Sequence, residues 1–370
     1  MRNILAIVQK EFRQIVRNKA MLAIIFAVPT LQLLILPWAA TFEMKNIKMH
    51  VVDLDNSPTS RELITKFNGS PFYKIVGISK NYPLAEGDMI SNKADVILNI
   101  PENMERELQT LGSAKVQFVI NAINGSVSGL INAYNNSIVA DYNADIAVEI
   151  NSENYVSQPK MPTHSFWFNP QLDYKTYMVP GILIVLTAVI GLFLMAMNTV
   201  REKEIGTIEQ INVTPIRKSE FVIGKSIPFA IIGLVDVTIG LLLARWVYQV
   251  PLLGSVWMVY LTIIVFLFSV LGLGLFFSAI SNTQQQAMFL AWFFVMVFIL
   301  LSGLFTPADN MPIWIQRFNT VNPLYYGIKI VRMIMLKGSS FSDYQKEFFA
   351  LIVYAIASLS LAMKVYRKTV

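Results

Sequence analysis

Six long apolar runs divide the chain. A bilayer core needs about 20 largely apolar residues per helix, and this requirement is met by windows at about 20–40, 178–199, 222–244, 255–279, 287–305 and 347–363. Because six is an even number, both termini are expected on the same side of the membrane. The pattern therefore predicts a polytopic α-helical membrane protein with six transmembrane helices.

The composition supports a membrane protein. Of the 370 residues, 54% are apolar and 15% are charged, against about 45–50% and about 25% in soluble domains. The mean hydropathy is +0.51. The net charge of +6 comes from basic residues beside apolar runs and not from a basic stripe with exposed aromatics, which argues against nucleic-acid binding. The chain has no cysteine, which excludes disulfides, thiolate nucleophiles and cysteine-ligated metals.

Lysine and arginine near the ends of the runs predict the orientation, because these residues are enriched on the cytoplasmic side. They are concentrated in 1–19, in 200–225 and at the C-terminus, whereas the loop 246–254 has none. The basic residues of 306–346 weaken this bias without reversing it. We expect a multi-pass protein of the cell (inner) membrane with both termini in the cytoplasm.

A polar segment at 41–177 is long enough for one compact domain. Strand-like runs "MHVVDLD", "ADVILNI" and "KVQFVINA" alternate with helical stretches near 58–68, 101–111 and 126–150. This alternation predicts an inserted α/β domain, which the orientation places on the extracytoplasmic side. Asp53, Asp55 and Ser57 resemble the start of a calcium loop, but Pro58 stands where that loop needs glycine, so a turn at a strand end is favoured. The spacing of Thr59 and Glu62 predicts a capping box at the following helix.

Catalytic signals are weak. "GKS" at 224–226 resembles part of a phosphate-binding loop, but the glycine required five residues earlier is Ser219. His50 and His164 are the only histidines, and neither has a neighbouring ligand set in the sequence, so the usual nucleophile–base pairs are missing. We therefore predict that the chain is not an enzyme and binds no metal or cofactor itself.

Asp236 lies in the middle of the third apolar run. A carboxylate at mid-membrane costs on the order of 2.5–3.5 kcal/mol on insertion scales. We expect its side chain to face the bundle interior or a water-filled cavity. A functional role and a purely structural hydrogen bond between helices are equally compatible with this position. Gly272, Gly274 and Ser278 provide small residues for helix packing in the fourth run.

The stretch "VREKEIGTIEQINVTPIRKSEFVIGK" (200–225) separates two of the most apolar runs. Ile205, Ile208 and Ile211 recur every three residues, which predicts a short amphipathic helix with Glu202 and Glu209 directed elsewhere. Pro215 ends this helix at Thr214. Helices that lie on lipid favour basic polar faces, but Glu202, Glu204 and Glu209 offset Arg201 and Lys203 here. A protein partner is therefore favoured for 200–225, and an interfacial position for residues 1–19.

The chain resembles the type-2 ABC exporter permeases, in the branch with a large extracytoplasmic domain between spans one and two, and it is similar to bacterial multidrug-type ABC permeases. The matching motifs cover essentially the whole chain and include "VVDLDNSPTSREL", "FWFNPQLDYKTYMVPG", "VREKEIGTIEQINVTPIRKSEFVIGK", "LLSGLFTPADNMPIWIQ" and "NPLYYGIKIVR". Ile205 departs from the pattern, because relatives often have arginine there.

The resemblance implies a division of the chain and a set of partners. Residues 1–19 would be the connecting helix, 20–40 the first span, 41–177 the extracytoplasmic domain and 178–370 spans two to six, with a coupling loop at 200–221 and short outer helices at 307–337. The helix 201–215 would dock on a cytosolic ABC ATPase subunit, which carries ATP and Mg²⁺. The residues implied in coupling are Arg201, Glu202, Glu204, Gly206, Thr207, Glu209, Thr214 and Pro215.

Further partners follow from the same resemblance. A second permease subunit, identical or a paralogue, would complete the translocation path, and a periplasmic adaptor protein is a further expected partner. The function implied is an ATP-driven export permease. The alternatives are an ATPase-coupled mechanotransmission or signalling protein that moves no substrate, and a secondary transporter. A secondary transporter would need several buried ionisable groups near the membrane midplane, where Asp236 is nearly alone.

Overall fold

The computed structural model describes residues 2–39, 46–123, 125–150, 173–207, 214, 216–308 and 311–366. The chain forms two compact units. The helical unit comprises Met1–Thr41 and Ser165–Val370, and the α/β unit comprises Phe42–His164.

The elements follow in chain order. The helical unit begins with α1 (Arg2–Arg17) and α2 (Lys19–Ala39). The α/β unit contains β1 (Ile47–Asp53), α3 (Pro58–Gly69), β2 (Tyr73–Ser79), α4 (Tyr82–Ile90), β3 (Val96–Ile100), α5 (Met104–Leu111), β4 (Gln117–Ile120) and α6 (Gly125–Ile150). The helical unit continues with α7 (Tyr174–Glu204), α8 (Lys218–Trp246), α9 (Val256–Ile280), α10 (Gln284–Leu301), α11 (Ile313–Phe318), a 3-10 turn (Asn319–Val321), α12 (Pro323–Lys337) and α13 (Phe341–Val365).

Five of the described helices are long and apolar enough to cross a membrane: α7, α8, α9, α10 and α13. Helix formation is the expected outcome for such runs, because lipid offers no hydrogen-bond partners to the backbone. The polytopic helical architecture predicted from the sequence is therefore present. The apolar part of α2, Ile25–Ala39, is shorter than these five helices, so a sixth span at 20–40 stays a prediction.

Small residues allow α9 to approach its neighbours closely. A Cβ atom on Gly272 would lie 2.4 Å from Ser358 Oγ of α13, and one on Gly274 would lie 2.8 Å from the carbonyl oxygen of Leu192 in α7. Any larger side chain at Gly272 or Gly274 would therefore force these helices apart. The packing role predicted for these glycines is confirmed.

The segment 307–337 contains α11, the 3-10 turn and α12. The Asn322 side chain accepts a hydrogen bond from Leu324 N (3.0 Å) and donates one to the carbonyl oxygen of Phe298 (2.9 Å), so α12 begins against the end of α10. Gly327 packs against Ile184 of α7 and Phe266 of α9. Short helices predicted for this segment are present, with α12 buried along one face.

The α/β unit is built on a four-stranded sheet in the order β2-β1-β3-β4. β1 is parallel to β2 and β3, and β4 is antiparallel to β3. The strands β1, β3 and β4 coincide with the runs predicted from the sequence. β2 and α4 were not predicted, because Gly77 interrupts the strand pattern and Pro83 and Gly87 weaken the helical one.

The end of β1 is a turn, as the sequence predicts. Asp53 Oδ1 accepts hydrogen bonds from the backbone nitrogens of Asp55 and Asn56. The N-cap of α3 is Ser57, whose hydroxyl accepts from Ser60 N at 3.0 Å. The predicted cap at Thr59 is wrong, because Pro58 already occupies the first helical position and leaves the cap to the residue before it.

His50 is buried in the α/β unit, with 2% of its surface exposed. Its Nδ1 lies 2.8 Å from Asp88 Oδ2 and its Nε2 lies 3.0 Å from Ser79 Oγ. Gly77 leaves the room for the ring, since a Cβ there would lie 2.8 Å from His50 Cε1. The sheet and α4 thus give His50 two polar neighbours, Ser79 and Asp88, that are distant from it in sequence. The ring is enclosed and joins β1, β2 and α4.

Candidate functional site

A cluster of four charged side chains joins α1, α7 and α8, and three of the four are buried while Lys10 is 39% exposed. It consists of Lys10, Glu11, Glu202 and Lys225, hereafter the ion cluster. The Glu202 carboxylate pairs with both Lys10 and Lys225. Glu11 Oε1 lies 3.1 Å from Lys10 Nζ and 3.4 Å from Lys225 Nζ. The side chains of Glu11 and Lys225 are fully buried and that of Glu202 is 2% exposed.

Packing of α1 on α8 positions the ion cluster. Ile7, Glu11 and Ile15 are the buried residues of α1, and their spacing of four residues places them on one helical face. Ile7 packs on Gly224, where a Cβ would lie only 3.0 Å from Ile7 Cβ. Glu11 is thereby brought beside Lys225, the residue that follows this glycine.

The charges of the ion cluster balance, with two lysines facing two glutamates. Burying a charge is costly unless it is paired and hydrogen-bonded, and each lysine here contacts both carboxylates. Burial alone would lower the pKa of Lys10, but the carboxylates of Glu11 and Glu202 outweigh it and raise that pKa above its usual value. Lys10 therefore carries its charge at neutral pH.

The chain turns directly after the ion cluster. α7 ends at Glu204, where Ile205 N donates to the carbonyl oxygen of Arg201 (3.0 Å) and Gly206 N to that of Lys203 (3.2 Å). Gly206 has a φ of +77°, a left-handed conformation that ends helices and favours glycine. Residues 201–204 therefore belong to α7 and the chain breaks at 205–206, so the predicted amphipathic helix does not begin at Arg201, and its course after Thr207 stays a prediction. Ile208 and Ile211 lie outside the described residues.

Three further hydrogen bonds join the end of α7 to residues 281–284, between the end of α9 and the start of α10. Lys203 Nζ donates to the carbonyl oxygen of Ser281 (2.8 Å), and Glu204 accepts from Gln284 N (2.7 Å) and from the Gln284 side chain. A carboxylate at a helix N-terminus is favourable because it faces the positive end of the helix dipole. The last turn of α7 is thus bonded to α1, α8 and the N-terminal end of α10.

The residues implied in coupling occupy different environments. Arg201 is exposed, Gly206 and Thr207 are half-buried, and the Thr207 hydroxyl donates to the carbonyl oxygen of Glu202 (3.1 Å). Thr214 is half-buried in a bend. Glu209 and Pro215 lie outside the described residues. The expected exposure of Glu202 is wrong, because its carboxylate is the counter-ion of two lysines inside the helical unit.

One exposed apolar side chain lies among the described residues directly after α7. Ile205 is 63% exposed, next to exposed Arg201 and Glu204. An apolar side chain with this exposure, flanked by both charge signs, is a suitable anchor for a protein surface.

Sequence reasoning missed Lys10, Glu11 and Lys225 as members of one site. One signal was available, since Glu11 falls on the apolar stripe between Ile7 and Ile15, where a lone carboxylate needs a partner. Lys225 was assessed only as part of a phosphate-binding motif. Its burial in α8 beside Glu202 assigns it a different role, as a counter-ion.

Asp236 lies in the bundle interior, as predicted. It is 9% exposed and lines a small cavity between α2, α7 and α8. Its Oδ2 atom has no hydrogen-bond partner among the described residues.

Comparison with known proteins identifies relatives along the full length of the chain. The family described as ABC-2 family transporter protein matches residues 19–364. The chain is 29% identical to the probable multidrug ABC transporter permease YbhR of Escherichia coli (strain K12), over 98% of both chains. It is 26% identical to the probable multidrug ABC transporter permease YbhS of the same strain, over 91% of this chain and 89% of that protein. It is 25% identical to the inner membrane transport permease YhhJ of that strain, over 100% of this chain and 98% of that protein. With its apolar helices and a family match across nearly its whole length, the chain belongs to the ABC-2 family of transporter proteins and is a transmembrane permease.

Proposed function

We propose that the chain is the permease subunit of an ATP-driven exporter. Cytosolic ABC ATPase subunits would supply ATP hydrolysis, and a second permease subunit would complete the translocation path. In this proposal α2 is the first of six spans, both termini are cytoplasmic and the α/β unit lies on the extracytoplasmic side. The family supports this function, and so do the names of the relatives, two of which are named probable multidrug ABC transporter permeases and one an inner membrane transport permease.

The proposal for coupling rests on the hydrogen bonds and ion pairs at the C-terminal end of α7. A displacement of the segment after Glu204 acts on the last turn of α7, which is tied to α1 and α8 through Glu202 and to the start of α10 through Glu204. Buried ion pairs resist separation, because pulling one partner away leaves an uncompensated charge. A force applied at this point therefore moves several helices together.

The exposed Ile205 is the proposed anchor for the ATPase subunit. Ile205→Asp would place a charge in a desolvated contact, and such a change at an anchor residue costs binding. The variant should reach the membrane at wild-type level, yet lose co-purification with its ATPase and lose export. Ile205→Leu is the matched control, because it keeps an apolar side chain of similar size at the same position and should bind the ATPase and export substrate like wild type.

Two outcomes would count against the proposal. If Ile205→Asp binds the ATPase and exports substrate at wild-type rates, the segment after α7 is not the docking site. The second outcome is that the permease stimulates ATP hydrolysis by its ATPase but no substrate enters vesicles. That outcome would instead favour transmission of force to the α/β unit.

A further inference from the structure

A cavity of ≈ 20 Å³ lies at the junction of α2, α7 and α8. Its polar lining comes from Thr30 of α2, Thr187 of α7 and Asp236 of α8, and the remaining lining residues are apolar or glycine. No described lining residue other than Asp236 is titratable, and none is cationic.

The hydrogen bonds of the two threonines determine whether their hydroxyl groups act as donors or acceptors toward the cavity. The Thr30 hydroxyl donates to the carbonyl oxygen of Phe26 (2.6 Å), and the Thr187 hydroxyl donates to that of Leu183 (2.7 Å). Each hydroxyl has then used its only hydrogen and retains acceptor lone pairs. Asp236 Oδ2 is buried without a partner among the described residues. These three side chains therefore present oxygen acceptors to the cavity.

Size and charge limit the occupant. A water molecule needs about 10–15 Å³ of such space, whereas ligand pockets for drug-sized molecules measure about 300–1,000 Å³. The cavity thus holds one small occupant and no drug. A buried carboxylate requires a compensating charge, and the described lining residues supply none, so the occupant must bring it.

We propose that this cavity is a binding site for one small monovalent cation, held by the Asp236 carboxyl group and the hydroxyl oxygens of Thr30 and Thr187. The cation is either a proton carried on the carboxyl group or a sodium ion. Oxygen-only donors suit such hard cations. Since each of three helices contributes one oxygen, occupancy stabilises this packing of α2, α7 and α8. The site goes beyond the proposed ATP-driven export and does not depend on it.

Thermal unfolding of the full-length chain in lipid nanodiscs tests the site without any ATPase. If the cation is sodium, exchange of choline chloride for sodium chloride at equal ionic strength should raise the Tm, increasingly with the sodium concentration. If the cation is a proton, acidification in choline chloride should raise the Tm, because an ion that binds only the folded chain stabilises that state by mass action. Either response supports the proposal, and the two arms identify the ion.

Variants separate this response from other effects of pH and salt. Asp236→Asn should lose the response that wild type shows, and Thr187→Val should weaken it. Thr262→Val is the matched control, because the Thr262 hydroxyl also donates within its own helix (to Met258 O, 2.8 Å) but does not line the cavity. If Asp236→Asn cannot be recovered from membranes, the Tm responses of Thr187→Val and Thr262→Val are compared instead. A weaker response in Thr187→Val than in Thr262→Val supports the proposal, and equal responses contradict it. A wild type indifferent to both ions, or an Asp236→Asn variant that responds like wild type, would overturn the proposal.

Discussion

The two ends of α7 are held by different kinds of polar contact. At the C-terminal end, Glu202 is paired with two lysines in the ion cluster. At the N-terminal end, Arg332 of α12 donates to the carbonyl oxygens of Tyr177 (3.1 Å), Gly303 (2.9 Å) and Leu304 (3.3 Å) and to the Tyr177 hydroxyl (2.9 Å). Its guanidinium carbon also lies 3.7 Å from the centre of the Tyr177 ring.

The difference lies in what each contact requires. The ion cluster requires opposite charges, because each lysine is compensated by a carboxylate. The Arg332 contact requires shape, because a planar guanidinium with donors in fixed directions reaches several neutral oxygens at once. A change of charge should therefore be most damaging at the first end, and a change of shape at constant charge should be damaging only at the second.

The largest effect is expected from Glu202→Leu. This change leaves buried Lys225 short of a counter-ion, and breaking a buried ion pair in this way costs about 3–5 kcal/mol. The Tm of the purified chain and its level in the membrane should both fall. Glu202→Leu combined with Lys225→Leu should recover most of the loss, because an apolar pair can replace a buried ion pair. Equal stability of the single and double variants would contradict the pairing.

A smaller loss is expected from Arg332→Lys. The charge is kept, but an ammonium group cannot reach the oxygens of Tyr177, Gly303 and Leu304 together, so buried acceptors lose partners at a cost of about 1–3 kcal/mol. Chemical or thermal unfolding measures this loss. Arg317→Lys, at an exposed arginine of α11, is the matched control and should be close to neutral. If the two variants behave alike, the Arg332 contact depends on charge and the distinction between the two ends fails.

The smallest effect is expected from Glu347→Gln. The pair between Lys329 of α12 and Glu347 of α13 spans 2.8 Å, but the two side chains are 42% and 20% exposed. Exposed pairs contribute only about 0.2–1 kcal/mol, because solvent screens them. The Tm of Glu347→Gln should be close to that of wild type. Adding Lys329→Gln to this variant should change the Tm no further. A loss as large as that of Glu202→Leu would show that burial does not explain the ranking.

Much of the helical unit follows from sequence alone. The apolar runs at 178–199, 222–244, 255–279, 287–305 and 347–363 correspond to α7, α8, α9, α10 and α13, because an apolar run of span length has few alternatives to a helix. The end of α7 was also predictable in principle, since Gly206 is a common helix terminator. The amphipathic pattern of Ile205, Ile208 and Ile211 concealed it.

The ion cluster was not predictable in the same way. Glu11 and Lys225 are 214 residues apart in sequence. No local sequence pattern identifies which buried carboxylate pairs with which buried lysine. Their pairing depends on the packing of Ile7 on Gly224. A charged residue within an apolar face indicates that a partner exists, but only the arrangement of helices identifies that partner.

The enclosure of the ion cluster has a consequence for ionic strength. Mobile ions screen charges that are exposed to solvent over about 8–10 Å, but they screen buried pairs much less. Lys225 and Glu11 are fully buried, so the attraction that joins α1, α7 and α8 should stay nearly constant when the salt concentration of the surroundings changes. The exposed charges beside Ile205 have no such protection. Salt should therefore weaken contacts made at this surface while leaving the joint between the three helices intact.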